Sequence, residues 1–322
     1  MTVRLLRAAD VRRACSMTEA IDAVATGFAA LSTGRATVPV RLAVPLVADG
    51  VALAMPAALA GASFYSMKLV SIAPANTAAG RPLLSATVLL GDAITGELLA
   101  LLDGTALTAL RTGAAGGLAA RLLSRDDSRV AALFGAGTQA RTQLTALVAV
   151  RSIRELRVVT REAGHADALR AWCVAQPELA RIAVATAGPE AAVEGADVVV
   201  TATTSRTPVF PGASLSGGAH VTAVGSFTPE TRELDAETLR GARVFVDQRA
   251  ASLAEAGELT GLAPDGVVEL GEVVAGLAPG RTDRSERTVF KSVGNAIQDL
   301  VVAARAYERS RELGIGQDID FP

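Results

Sequence analysis

Hydrophobic and polar positions follow two rhythms along this chain. Before about residue 110, short period-two stretches predict strands at Val38–Pro45, Val51–Met55 (closed by Pro56), Phe64–Ile72 and Ser85–Leu90. After a turn over Gly91–Gly96, Leu98–Leu102 pairs back as a hairpin partner. Such spacing predicts an antiparallel sheet. Ahead of it, Asp10 reads as a helix N-cap, Ser16–Thr18 as the restart of a second helix and Gly34 as its end. Leu107–Leu123 reads as a helix rich in small residues. From Val130 the rhythm changes to strands separated by helical segments: Val130–Phe134, Leu156–Val159, Ile182–Ala185, Val198–Thr201, Val221–Val224 and Val244–Val246. That alternation fits a doubly wound parallel sheet. A helix at Arg249–Glu255, an irregular stretch over Gly261–Gly280 and a helix near Asn295–Leu313 follow. The expected class is α/β: a Rossmann doubly wound parallel sheet plus a smaller α+β domain with antiparallel strands.

Composition narrows the function classes. The 322 residues are 50% hydrophobic and 20% charged, which favours large buried cores over disorder. A formal net charge of −2 without a basic block points away from nucleic acid and from anionic membrane surfaces. The longest apolar region, Pro82–Leu102, is broken by Asp92 and Glu97, so no membrane span is expected. The start, MTVRLLRAADVRR, lacks the apolar core of a signal peptide. Cys15 and Cys173 are far apart and read as buried thiols in a reducing compartment, so the expected location is cytoplasmic. Two histidines, His165 and His220, are too few for a His-based metal site, and none is expected. Of 31 basic residues only Lys68 and Lys291 are lysine. Lysine, unlike arginine, gives up its proton when desolvated.

The chemistry starts at Gly135-Ala136-Gly137-Thr138-Gln139-Ala140, directly after the Val130–Phe134 strand. This G-x-G-x-x-A run is the dinucleotide fingerprint: two glycines for a tight turn and close pyrophosphate approach, then a small residue for helix packing. The helix N-terminus beyond it favours negative charge. An acid normally follows the second strand to hold the ribose. Thr160 and Arg161 stand there instead, a pair suited to a 2′-phosphate, so NADP(H) is the expected cofactor. Glu162 is the competing ribose acid, and with it NAD(H) the alternative.

Taken together, several stretches resemble the ornithine cyclodeaminase/mu-crystallin family. They are Pro39-Val40-Arg41, Met55-Pro56-Ala57, Lys68, Leu107–Ala120 with Arg111-Thr112-Gly113-Ala114, and Gly135–Ala140. Ala223-Val224-Gly225, Arg232-Glu233-Leu234, Leu270-Gly271-Glu272-Val273 and Lys291-Ser292-Val293-Gly294 complete the series, in order over nearly the whole chain. The resemblance implies a substrate-binding and dimerisation domain over 1–112 together with 295–322, and a Rossmann domain over 113–294. It implies a homodimer acting on a small molecule. Arg41 and Arg111 match arginines that grip a substrate carboxylate, and Lys68 matches the active-site lysine. Met55, Thr112 and Phe227 join them as expected substrate-side residues. Gly135, Gly137, Thr138, Gln139, Thr160, Arg161, Thr201, Ala202, Val224, Ser226 and Val293 form the expected cofactor side, and Lys291 a structural or cofactor-side group.

One departure redirects the expected activity. Cyclodeaminases of the family carry an aspartate two residues past the A-V-G glycine, where this chain has Phe227. Phenylalanine neither accepts a proton nor holds an ammonium, which counts against ornithine cyclodeaminase and alanine dehydrogenase. The expectation is NAD(P)H-dependent reduction of a ready-made cyclic ketimine, Δ1-pyrroline-2-carboxylate to L-proline or Δ1-piperideine-2-carboxylate to L-pipecolate. A mu-crystallin-like ligand-binding protein is the non-enzymatic alternative.

Overall fold

A computed structural model of the chain describes residues 2–320; Met1, Phe321 and Pro322, which the expected first domain includes, lie outside the described residues. Two compact units form, Met1–Arg111 with Asn295–Pro322, and Thr112–Gly294.

The first unit contains β1 (Thr2–Leu6), β2 (Ala36–Thr37), β3 (Leu42–Pro45), β4 (Val51–Leu59), β5 (Phe64–Ile72), β6 (Leu84–Asp92) and β7 (Leu98–Asp103). With the C-terminal strand Gln317–Asp320 they make one sheet, ordered C-terminal strand–β1–β7–β6–β5–β4–β2, with β3 also on β4. The sheet is mixed rather than wholly antiparallel: β1 runs parallel to β7, a pairing that no hairpin dictates because helices and five strands intervene. Asp10 is not an N-cap. Arg7 is, and Asp10 sits at the third helical position, its carboxylate accepting from the Arg7 N–H at 3.0 Å. Val38–Arg41 lies outside the strands, and β3 starts only at Leu42. Pro56 does not end its strand. On one side it faces Met67 of β5; on the other, the register places Leu42 against Ala54 and Thr37 against Ala58 and skips residue 56. A missing N–H costs nothing in that gap.

The Met17–Ser32 and Ala296–Glu312 helices pack together, and the latter lies on β4, β5 and β6. Gly27 allows the close approach: a Cβ there would meet the Val301 side chain at 3.1 Å and Ile297 at 3.3 Å. This fixes the first turn of the C-terminal helix over Lys68 of β5.

The second unit holds β8 (Val130–Phe134), β9 (Glu155–Val159), β10 (Ala183–Thr186), β11 (Val198–Thr201), β12 (His220–Ala223), β13 (Ala242–Val246), β14 (Val267–Glu269) and β15 (Arg287–Lys291). Their order is β10–β9–β8–β11–β12–β15–β13–β14, and every pairing is parallel. Two strands go beyond the six expected. β14 interrupts the stretch expected to be irregular, and β15 inserts between β12 and β13. Alternate residues of β8 feed two cores, Ala131 and Leu133 one face, Ala132 and Phe134 the other. Strand order reverses between β8 and β11. The carboxyl ends there define the crevice in which such sheets bind ligands.

Candidate active site and dinucleotide cradle

In the first unit, sheet alternation turns Ser66, Lys68 and Val70 to the buried face of β5. Lys68 is 2% exposed. Its Nζ lies 3.2 Å from Asp299 Oδ1 and 3.4 Å from Oδ2. The same Oδ1 stands 3.2 Å from Arg111 Nε, and Arg111 Nη1 donates to Gln298 Oε1 at 2.5 Å. Burial above all pulls the Lys68 ammonium down to about 8, aided by the positive charges of Arg111 and Arg41 and opposed by Asp299. Arg41 is thus near enough to act on Lys68 electrostatically. Met55 is the register partner of Lys68 on β4 and is buried. Two cations, Lys68 and Arg111, share one buried acid. Neither Asp299 nor Gln298 was expected from the sequence. The available signal was an acid inside the apolar run Ala296-Ile297-Gln298-Asp299-Leu300-Val301-Val302.

In the second unit the fingerprint turn takes the conformation its glycines permit. Gly135 has φ of 101°, and a Cβ there would lie 2.5 Å from the Ala202 carbonyl oxygen. Gly137 is the N-cap of the Thr138–Val150 helix and offers no side-chain cap, so its first N–H groups face outward. Ala140 is fully buried against the sheet. A cavity of about 680 Å³ opens at this edge, lined by Gly135, Gly137, Thr160, Arg161, Ala202 and Thr203 among others. Its size and glycine-rich phosphate side fit a nicotinamide dinucleotide. Glu162 also lines it and stands 4.0 Å from His165. Thr160 and Arg161 follow β9 directly, since β9 ends at Val159, whereas Glu162 is already the N-cap of the next helix.

Other expected cofactor-side residues are placed differently. Thr138 is exposed on the first helical turn and Gln139 half-buried beside it. The Thr201 hydroxyl is spent inward on Glu233 at 2.9 Å. The Ser226 hydroxyl is buried, donating to Glu258 at 2.5 Å and accepting from Lys291 Nζ at 2.6 Å. Val224 and Val293 are half-buried, and Phe227 is 45% exposed. Thr112 is buried, and its carbonyl accepts from Gln143 at 2.8 Å. Lys291 is fully enclosed and donates to the Ser226 carbonyl at 2.6 Å. Glu233 ties the loops together: its carboxylate accepts from the Thr203 and Gly225 N–H groups at 2.7 Å each. His220 is buried between Thr222 and Thr288 hydroxyls, and burial holds its imidazole down to about 3. Among the described residues no His, Cys, Asp or Glu cluster could hold a metal ion, and no helix is long and apolar enough to cross a membrane.

Residues 1–314 match the model of the ornithine cyclodeaminase/mu-crystallin family. The chain is 34% identical over 326 residues to a Δ1-pyrroline-2-carboxylate reductase of Bacillus cereus, covering 98% of this chain and 99% of that protein. The structure of the Thermococcus litoralis Δ1-pyrroline-2-carboxylate reductase, in complex with NADH and L-proline, superimposes with a TM-score of 0.92 at 37% identity, covering 98% of this chain and all of that one. An archaeal alanine dehydrogenase dimer with bound NAD also gives a TM-score of 0.92, at 34% identity with both chains fully covered.

Proposed function

This chain belongs to the ornithine cyclodeaminase/mu-crystallin family, and on that premise we propose that it reduces cyclic ketimines with a reduced nicotinamide cofactor. The reactions are Δ1-pyrroline-2-carboxylate to L-proline and Δ1-piperideine-2-carboxylate to L-pipecolate. The observation that carries this reading is the buried Lys68–Asp299–Arg111 cluster, in a chain that matches a pyrroline-carboxylate reductase over its length.

Arg111 and Arg41 bind the substrate carboxylate, where guanidinium forks match its geometry. Lys68 holds the same carboxylate and gives a proton to the ring nitrogen, a role its position near pH 8 permits. Fixing the imine carbon in this way is most of the catalytic task. The cofactor, held by Gly135, Gly137, Thr160 and Arg161, supplies the hydride. Phe227 provides no carboxylate for a second amine, as ornithine would require.

The finer features belong to the same reading. The first unit binds substrate and dimerises, and the second binds the cofactor. NADPH is preferred over NADH because Arg161 is exposed at the cavity rim with no acid at the position after β9. A homodimer is supported by exposed Val40, Leu42, Val44 and Val47 on the first unit, an apolar surface that a lone subunit leaves in water. Free, buried Cys15 and Cys173 suit a cytoplasmic setting. The alanine dehydrogenase likeness favours a second reading, reductive amination of pyruvate. Product analysis separates the two: L-proline from the cyclic imine supports the proposal, and L-alanine from pyruvate and ammonia as the sole product overturns it.

A further inference from the structure

We propose that Asp299 is a positioning residue of this site: its carboxylate orients Lys68 and Arg111 for the substrate and keeps Lys68 protonated. The proposal rests on the reading of Lys68 as the substrate-side cation and proton donor.

The geometry is that of a shared clamp. One oxygen, Oδ1, is 3.2 Å from both Lys68 Nζ and Arg111 Nε, so a single atom sets the spacing of the two cations. Asp299 is completely buried and sits in the first turn of a 17-residue helix. The preceding residue, Gln298, holds Arg111 from the other side through its amide oxygen. One turn thus holds the guanidinium twice, by the Gln298 hydrogen bond and by the Asp299 ion pair, although the Arg111 Nε–H makes no hydrogen bond of its own. Gly27 lets the helix approach that closely, which ties the clamp to the helix pair.

Charge makes the same point. Arg111 and, more weakly, Arg41 act on buried Lys68 as like charges. Of the three, only lysine can shed its proton. Other acids on the surrounding elements are engaged elsewhere. Glu19 on the Met17–Ser32 helix binds Arg305 at 2.7 Å and caps its own helix, and Asp22 has its own partner. Asp92, at the end of β6, accepts from the Ile94 and Thr95 N–H groups, and Asp103 from Ala106. β4 carries no ionisable residue, and β5 carries only Lys68 besides Tyr65. Asp299 is the carboxylate in contact with both Lys68 and Arg111, and it favours the charged form of Lys68.

The test uses the full chain with isotope-labelled lysine. Two lysines give two side-chain NMR signals, and Lys68→Arg assigns the one that disappears. In Asp299→Asn the Lys68 midpoint should fall from about 8 by about 1–3 pH units, and the alkaline limb of kcat/KM should move down with it. Asp299→Glu keeps the charge but displaces it. Its Lys68 midpoint should stay in place while kcat/KM drops about tenfold or more. An unmoved midpoint in folded Asp299→Asn overturns the proposal. Should that variant not fold, undiminished kcat/KM in Asp299→Glu overturns it instead. The NMR titration requires no turnover, so a wild type inactive on ketimines defeats the proposed function without touching this linkage.

Discussion

Gly135→Ala tests the cofactor cradle most sharply. Gly135 sits at φ of 101°, and an added Cβ would lie 2.5 Å from the Ala202 carbonyl oxygen. Two backbone hydrogen bonds define the turn that the cofactor needs. The Gly135 N–H is bonded to the Val159 carbonyl at 3.0 Å, and the Ala202 N–H to the Phe134 carbonyl at 2.9 Å. A non-glycine residue in a sparsely populated backbone region costs about 1–3 kcal/mol before any clash. The free variant escapes that strain by shifting the turn and must restore it to bind. At about 1.4 kcal/mol per decade, cofactor binding weakens by roughly 5- to 150-fold. Fluorescence titration with NADPH and NADH measures this directly. Gly137→Ala is the control: its φ is −76° and a Cβ there meets nothing within 4 Å, so Tm should hold while affinity falls because the new methyl fills the pyrophosphate approach. Gly135→Ala binding within twofold of wild type, with unchanged Tm, would show that the Gly135 turn does not set cofactor affinity.

Three further outcomes are expected. Arg161→Glu should reverse cofactor preference, lowering kcat/KM with NADPH by about tenfold or more while sparing NADH; equal losses with both would show that Arg161 does not face the 2′-phosphate. Wild-type kcat/KM should be level at lower pH and decline as Lys68 loses its proton near about 8, and Lys68→Met should lose about 10²–10⁴ in kcat without that limb. If the exposed apolar stretch at Val40–Val47 forms the proposed dimer interface, wild type should sediment as a dimer and Val44→Asp as a monomer, since the variant puts a charge into that stretch.

The sequence made some parts legible because their signals are local. The fingerprint turn, β8 and β11 are read from a handful of neighbouring residues, and all three stand where the pattern put them. Local pattern misled where long-range pairing decides. Val38–Arg41 alternates like a strand yet stays outside the sheet, with Val40 91% exposed. Pro56 looked like a strand end, but only the register of two flanking strands shows the gap that accepts it. β15 gives little local signal, since its five residues, Arg287 to Lys291, begin and end on a charge. Asp299 pairs with a lysine 231 positions away, so the acid in an apolar run was visible but its partner was not. Ser226 and Thr201 carry hydroxyls of the right type for a cofactor, but Lys291, Glu258 and Glu233 claim them.

NADPH oxidation by the purified chain is measured with Δ1-pyrroline-2-carboxylate, with Δ1-piperideine-2-carboxylate and with pyruvate plus ammonia, and ammonia release is measured with ornithine and NAD. Rapid oxidation is expected with the two cyclic imines, yielding L-proline and L-pipecolate, with far lower kcat/KM for pyruvate with ammonia. Release of ammonia from ornithine, with no turnover of either imine, would contradict this expectation.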